Sequence, residues 1–241
     1  MSRSRFPLAR PVLLGAGLAI LAACDSEGDE CGGAPCPPPA SARLYVVNAA
    51  RGVDAFQLLV DDRVVQARVE SGAASAALAV TPGDHEVRAV PTGTTAVAGG
   101  MGFVTVGVTP RVVVVVDRPA SAGAPALQAV VAADTGAIVP AGATKLRVIH
   151  GATGAPAVEV WRVQPDFATP THVMTPFPEQ AVSAYVQSTP GTWRVWVTRS
   201  GATDTLALTT VTLVAGQRAS VVLLNPPQPG GEYLLQSLVE Q

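Results

Sequence analysis

The sequence predicts an all-β protein: two tandem immunoglobulin-like antiparallel β-sandwich domains that follow an export signal and a flexible tether. Three observations predict it. The chain from residue 42 onward is a duplication, its apolar residues alternate with a period of two and are dominated by Val, and Gly and Pro punctuate it at intervals of about ten residues. Composition agrees with a folded chain. Of 241 residues 48% are apolar and 14% charged, which excludes a wholly disordered protein, and a formal net charge of −2 gives no electrostatic case for nucleic acid.

The N-terminus predicts export. Arg3, Arg5 and Arg10 form a basic start, and the uncharged stretch Pro11–Ala23 is 13 residues long, too short to span a bilayer but the right length for the core of a signal peptide. It ends in Leu21-Ala22-Ala23-Cys24, which resembles the bacterial lipobox. That resemblance implies cleavage after residue 23 and makes Cys24 the lipidated, palmitate-bearing first residue of a mature envelope protein. Removal of residues 1–23 takes three of 16 basic residues and none of 18 acidic ones, so the mature chain carries a net charge of −5.

Residues 24–41 read as the lipidated Cys and its tether. Asp25, Glu27, Asp29 and Glu30 repel one another, and Gly, Pro and the run Pro37-Pro38-Pro39 keep the segment solvated and extended. Cys31 and Cys36 lie across four turn-forming residues, and an oxidising compartment favours a small disulfide loop between them; two free thiols are the alternative.

The two copies span residues 42–134 and 144–241, joined by a Gly/Pro linker at 135–143. The segment from Arg43 to Gly52 recurs from Lys145 to Gly154 at an offset of 102, and Thr81-Pro82-Gly83 recurs as Thr189-Pro190-Gly191 at an offset of 108. The extra residues enter between Gln164 and Pro178. By parity Leu44, Val46 and Asn48 point inward, matched by Leu146, Val148 and His150, while Phe56 and Leu58 match Val158 and Val160. Asp61-Asp62 separates two strands and suits a hairpin turn. Each copy is expected to hold six or seven short antiparallel strands. Val112–Val116 reads as a central strand buried on both faces, with Arg111, Asp117 and Arg118 as charged flanks against aggregation.

The segment Leu146-Arg147-Val148-Ile149-His150-Gly151-Ala152-Thr153-Gly154-Ala155-Pro156-Ala157-Val158-Glu159-Val160-Trp161 resembles the opening motif of the domain of unknown function 4397 family, which reads roughly R-V-V-H-A-S-P-D-A-P-A-V-D-V-Y. The resemblance implies an exported β-sandwich, often in tandem and often on a lipoprotein, with no established activity. In the first copy Asn48 stands in place of the His, and the Ser-Pro-Asp element of the motif is Ala152-Thr153-Gly154 in the second.

No catalytic or cofactor signature accompanies this framework: the sequence contains no Gly-x-Ser-x-Gly, no His-Glu-x-x-His and no Cys/His cluster at metal-ligand spacing. His150 is expected to orient a loop rather than to act as a base, since Asn48 fills its place in the other copy. The copies differ in their aromatics. All three Trp belong to the second, where parity turns Trp193 inward and Trp161, Tyr185 and Trp196 outward, against Leu59, Ala77 and Arg88 in the first. Outward aromatics can stack on a sugar or anchor a protein, and they can equally be covered by neighbouring chain. The sequence therefore points to a lipid-anchored envelope protein, held on the membrane through its N-terminal lipid. It would act as a non-catalytic binding or structural module for a protein or carbohydrate; the alternative is an envelope hydrolase with a site at the junction of the two copies.

Overall fold

The computed structural model describes residues 41–241, apart from 94–99, 107–108, 119–126, 133–137, 165–169, 229 and 241. The signal segment, Cys24, the tether and the Cys31–Cys36 pair lie outside the described residues, as does part of the 135–143 linker. The first copy contains β1 (Ala42–Asn48), β2 (Ala55–Val60), β3 (Arg63–Glu70), β4 (Leu78–Val80), β5 (Gly83–Pro91), β6 (Gly100–Val106), β7 (Arg111–Asp117) and β8 (Leu127–Val131). The second contains β9 (Thr144–His150), β10 (Val158–Val163), β11 (Thr171–Phe177), β12 (Val186–Ser188), β13 (Gly191–Arg199), β14 (Thr205–Leu213), β15 (Arg218–Leu224) and β16 (Leu234–Glu240). No helix occurs among the described residues.

Each copy is a pair of four-stranded sheets. The first has the orders β4-β1-β7-β8 and β3-β2-β5-β6, and the second repeats them as β12-β9-β15-β16 and β11-β10-β13-β14. Two expectations are corrected here. Among the described residues there are eight strands per copy instead of six or seven, and the copies are not purely antiparallel: β1 runs parallel to β7, and β9 parallel to β15. Neither order is that of the immunoglobulin sandwich, in which the first strand pairs with the second. Here the first strand lies between the fourth and the seventh, because β1 and β2 belong to opposite sheets.

The pattern of side chains explains the layers. Leu44, Val46, Phe56, Leu58, Val87, Val113 and Val115 fill the first core, and Leu146, Val148, Val158, Val160, Trp193, Val195, Val221 and Leu223 fill the second. The alternate residues of the same strands form a third core: Tyr45, Val47, Val112, Val114 and Val116 pack with Ile149, Val222 and Leu224. The sheet containing β1 and β7 thus lies face to face with the sheet containing β9 and β15, giving four layers. This is why Val112–Val116 are all 0% exposed. A close approach at one point requires a glycine: a Cβ on Gly151 would lie 3.0 Å from Val114 Cγ1 and 3.2 Å from Ala49 Cβ.

Turns follow their chemistry. Asp61 and Asp62 both adopt positive φ, 49° and 62°, which is the two-residue type I′ hairpin turn between β2 and β3. The added residues of the second copy replace this turn by the longer connection from β10 to β11. Leu44 pairs with Arg111 and Leu146 with Ala219, so Arg111 and Ala219 are equivalent positions of the two copies.

Candidate functional site

The outer face of the β11-β10-β13-β14 sheet carries a row of rings. Trp161 on β10 and Trp196 on β13 are cross-strand partners, with centroids 6.4 Å apart and planes 13° from parallel. His172 on β11 extends the row, 4.3 Å from Trp161. On β14 Leu208 pairs with Trp196 and is 50% exposed. Both indoles are half-buried. The Trp161 Nε1–H donates to Thr198 Oγ1 at 3.3 Å, and the His172 ring beside it lies 3.7 Å from Glu159. Arg194, Thr210 and Thr212 are exposed around the row. In the first copy the corresponding cross-strand pair is Leu59 with Arg88, and Arg88 is bound to Asp62 and Glu86. Duplication has thus left one charged face and one aromatic face.

Tyr185, grouped with these two by strand parity, is on a different sheet face. Its hydroxyl donates to Glu240 Oε2 at 2.7 Å and Arg147 lies over its ring at 4.5 Å. Burial, with the Glu240 carboxylate beside it, pushes the phenol well above its ordinary range. Glu240 also accepts from Ser220 Oγ and from Arg147, and Arg218 Nε lies 3.3 Å from it. Arg147, Ser220 and Glu240 are buried. Tyr185 lies just before β12, whose membership of the other sheet parity cannot supply. Sequence gave no signal for the Arg147–Glu240 pair, which joins residues 93 apart.

The motif segment from His150 to Trp161 is held by two clamps. His150, buried and kept neutral by desolvation, lies 3.2 Å through Nε2 from the Pro156 carbonyl, which closes the loop after β9. Asn225 pairs its side-chain amide with both backbone groups of Thr153. The first copy builds the same loop with other atoms: Asn48 Oδ1 accepts from Ala50 N, and the Asp117 carboxylate accepts from the backbone of Arg51 and Gly52. His150 therefore orients a loop, and Asp117 holds one as well as flanking the valine strand. Ser75 and Ser183, which the sequence reading passed over, are a further matched pair: each accepts from the first strand, at Val46 N and Val148 N, and donates to the next carbonyl. Their common offset of 108 was the available signal.

Between the loops of the two copies runs a groove of about 1130 Å³, lined by Asp54, Glu70, Asp117, Arg118, Arg199 and Tyr233 among others. Ser220 lies away from this groove, bonded to the buried Glu240 and Arg147. Among the described residues no group of three His, Cys, Asp or Glu could hold a metal ion.

The profile described as domain of unknown function (DUF4397) matches residues 42–161, which is the whole first sandwich together with the motif segment of the second. The chain belongs to this family through those residues. No curated protein matches the chain. Among solved structures it is similar to the Bacillus anthracis TIE protein, with 11% identity over 77% of this chain and 34% of that one at a TM-score of 0.26. It is also similar to a leucine-rich repeat protein from Bacteroides thetaiotaomicron, with 13% identity over 80% of this chain and 27% of that one at a TM-score of 0.20. The chain thus spans about a third of the length of these structures or less.

In the two copies His85 and Trp193 occupy equivalent places and make the same bond to the turn before their strand. Trp193 Nε1–H donates to the Thr189 carbonyl at 3.0 Å, and His85 Nε2–H donates to the Thr81 carbonyl at 2.7 Å. His85 Nδ1 also meets Asp61 Oδ2 at 2.7 Å. An acceptor at each nitrogen favours the imidazolium: the Thr81 carbonyl and then Asp61 raise its pKa, and His85 and the Glu86 amide lower that of Asp61. The raised histidine contributes stability that is complete below about pH 6.5, its unfolded value, and fades as pH rises through the folded one. The lowered carboxylate contributes above about pH 3.9 and loses its share on acidification. Asp61→Asn keeps the positive-φ turn, so the melting-temperature gap between wild type and this variant is expected to be larger at pH 5.5 than at pH 9. An equal gap at both pH values would show that the ring is neutral.

Proposed function

We propose that this protein is an exported, lipid-anchored envelope protein whose second sandwich is a non-catalytic binding module for an envelope ligand, protein or carbohydrate. The aromatic row of Trp161 and Trp196 is the observation that supports the reading. The outer faces of the β1/β7 and β9/β15 sheets are spent on each other, whereas the outer face of the β10/β13 sheet bears half-buried indoles ending at an exposed leucine. Aromatics concentrated on one open face are what recognition surfaces use, because a large rigid ring gives contact area at little entropic cost. The basic start, the Pro11–Ala23 core and Leu21-Ala22-Ala23-Cys24 support export and lipidation.

Two experiments test this. Mass spectrometry of the mature protein is expected to find an acylated Cys24 at the N-terminus, and Cys24→Ala to accumulate as an uncleaved or mislocalised precursor; a mature N-terminus elsewhere, without lipid, refutes the anchor. For the module, glycan-array and pull-down screening identifies the ligand and Trp196→Ala measures the face. Loss of a half-buried, stacked indole is expected to cost about 1 kcal/mol of stability and to weaken ligand binding by roughly 2 kcal/mol or more. A loss of about 3–5 kcal/mol in folding with unchanged binding would make Trp196 a core residue instead.

A further inference from the structure

The open end of the second sandwich differs from that of the first in a way that its packing does not require. In the first copy this end is closed by apolar side chains: Ala42, Val60 and Val80 cluster there, with Ala42 and Val60 buried. Strand register makes Thr144, Arg162 and Ser188 their counterparts, since Ala42 pairs with Val80 as Thr144 pairs with Ser188, and Val60 follows Phe56 and Leu58 as Arg162 follows Val158 and Val160. Three apolar positions have become hydroxyl, guanidinium and hydroxyl. Arg162 and Ser188 line a cavity of about 770 Å³ together with Gln164, Thr171 and Thr189.

Arg162 has the inward parity of a core residue and its guanidinium lies 4.7 Å over the Trp193 ring. Its hydrogen bonds go to neutral groups, Ser188 Oγ and the Gln187 carbonyl, the latter at 3.2 Å, and its buried Nε has no partner. No carboxylate pairs with it among the described residues. Burial alone acts on it, lowering its pKa without an acid to offset the loss of water. A half-buried guanidinium held in place by neutral acceptors costs solvation free energy, and a valine stands at the same place in the sister copy. The cost is recovered when an anion arrives. One fixed cation matches one negative charge, and a planar carboxylate matches the guanidinium fork. The other polar lining is made of amides and hydroxyls, which suit a ligand rich in hydroxyl groups, and the volume suits one of monosaccharide to disaccharide size.

We propose that this cavity binds an acidic sugar, with Arg162 taking the carboxylate and Gln164, Thr171 and Ser188 facing its hydroxyls. The site is on the opposite side of the sheet from Trp161 and Trp196, and the proposal does not rest on the aromatic face. Titration of full-length protein in detergent with D-glucuronate, followed by calorimetry and by Trp fluorescence, tests it. Saturable binding at least about tenfold tighter than for D-glucose, acetate or inorganic phosphate is expected, since only the uronate satisfies both the guanidinium and the hydroxyl-binding groups. Arg162→Val, which installs the residue of the first copy, is expected to abolish it, and Trp193→Phe to abolish the fluorescence response while leaving the calorimetric signal. Should Arg162→Val fail to fold, Gln164→Ala is expected to weaken glucuronate about threefold or more with the Arg162–Trp193 contact intact. Equal binding of phosphate or acetate would reduce the cavity to a general anion site, and equal binding of glucose would remove the role of the charge; either overturns the proposal. So does glucuronate binding that survives Arg162→Val, or that disappears in Trp196→Ala, which would place the ligand on the other face.

Discussion

Glu240→Ala is expected to destabilise the protein by about 3–5 kcal/mol, one of the two largest losses available from a single side chain in this fold. Its carboxylate is 0% exposed and accepts from Tyr185, Ser220 and Arg147, with Arg218 beside it. Removing it takes from two buried arginines the carboxylate they share and from two hydroxyls that same acceptor. Each is a separate penalty, because a buried donor that loses its partner bears its full desolvation cost. Glu240→Gln keeps the shape and one acceptor and is expected to fall between wild type and alanine. Replacing the ion pair as a whole, Arg147→Leu with Glu240→Leu, is expected to cost less than Glu240→Ala alone, since apolar residues of similar volume remove both charges together. Urea midpoints of the four proteins decide the matter; a Glu240→Ala midpoint within about 0.5 kcal/mol of wild type, as for surface changes, would show that water reaches the cluster.

Val114→Asp is expected to cost at least about 3 kcal/mol, because it puts an unpaired carboxylate into the layer between the two sandwiches. Val114 is 0% exposed and its Cγ1 touches the space above Gly151. Val64→Asp on β3, where the side chain is 52% exposed, is the matched control and is expected to stay within about 0.5 kcal/mol. The sign is expected to reverse in the isolated first copy. Residues 42–134 alone would expose Tyr45, Val47, Val112, Val114 and Val116 on one sheet, a flat apolar face that favours self-association. There Val114→Asp should improve solubility, as measured by sedimentation. A wild-type first copy that is monomeric and melts cooperatively would mean that the third core contributes little.

The sequence disclosed most about what is local. Period-two alternation located the strands, and parity turned Trp193 inward and Trp161 and Trp196 outward, since both properties depend on backbone pleat alone. The Asp61-Asp62 turn was legible because few residues tolerate positive φ at two successive positions. What parity could not supply was the partner of each face. Tyr185 lies just before β12, which pairs with β9, so its ring meets Arg147 and Glu240 and not the row of Trp161 and Trp196. A strand that is apolar on both sides announces double burial. That signal was read in Val112–Val116 and was also present in Leu44-Tyr45-Val46-Val47, where it foretold the contact between the copies. The candidate site was half visible: the indoles by their side of the strand, but not Arg162, whose meaning depends on Val60 in the sister copy and on neutral partners that only the fold brings to it.

Ala49 and Gly151 occupy the same place in the two copies, one residue beyond the first strand, and they face each other across the interface. Equivalent positions meet in this way at the axis of a symmetric dimer. In one chain, however, the encounter is no longer bimolecular: a short connection holds the partner at an effective concentration of order millimolar, whatever the abundance of the protein. Such a contact can be far weaker than a free dimer would need and still be closed nearly all the time. It also frees the halves from identity. A homodimer must show every surface twice, whereas here an arginine, an indole or a buried carboxylate can be gained on one side while the other keeps valine, and the asymmetry between the two sandwiches is a liberty that this covalent link provides.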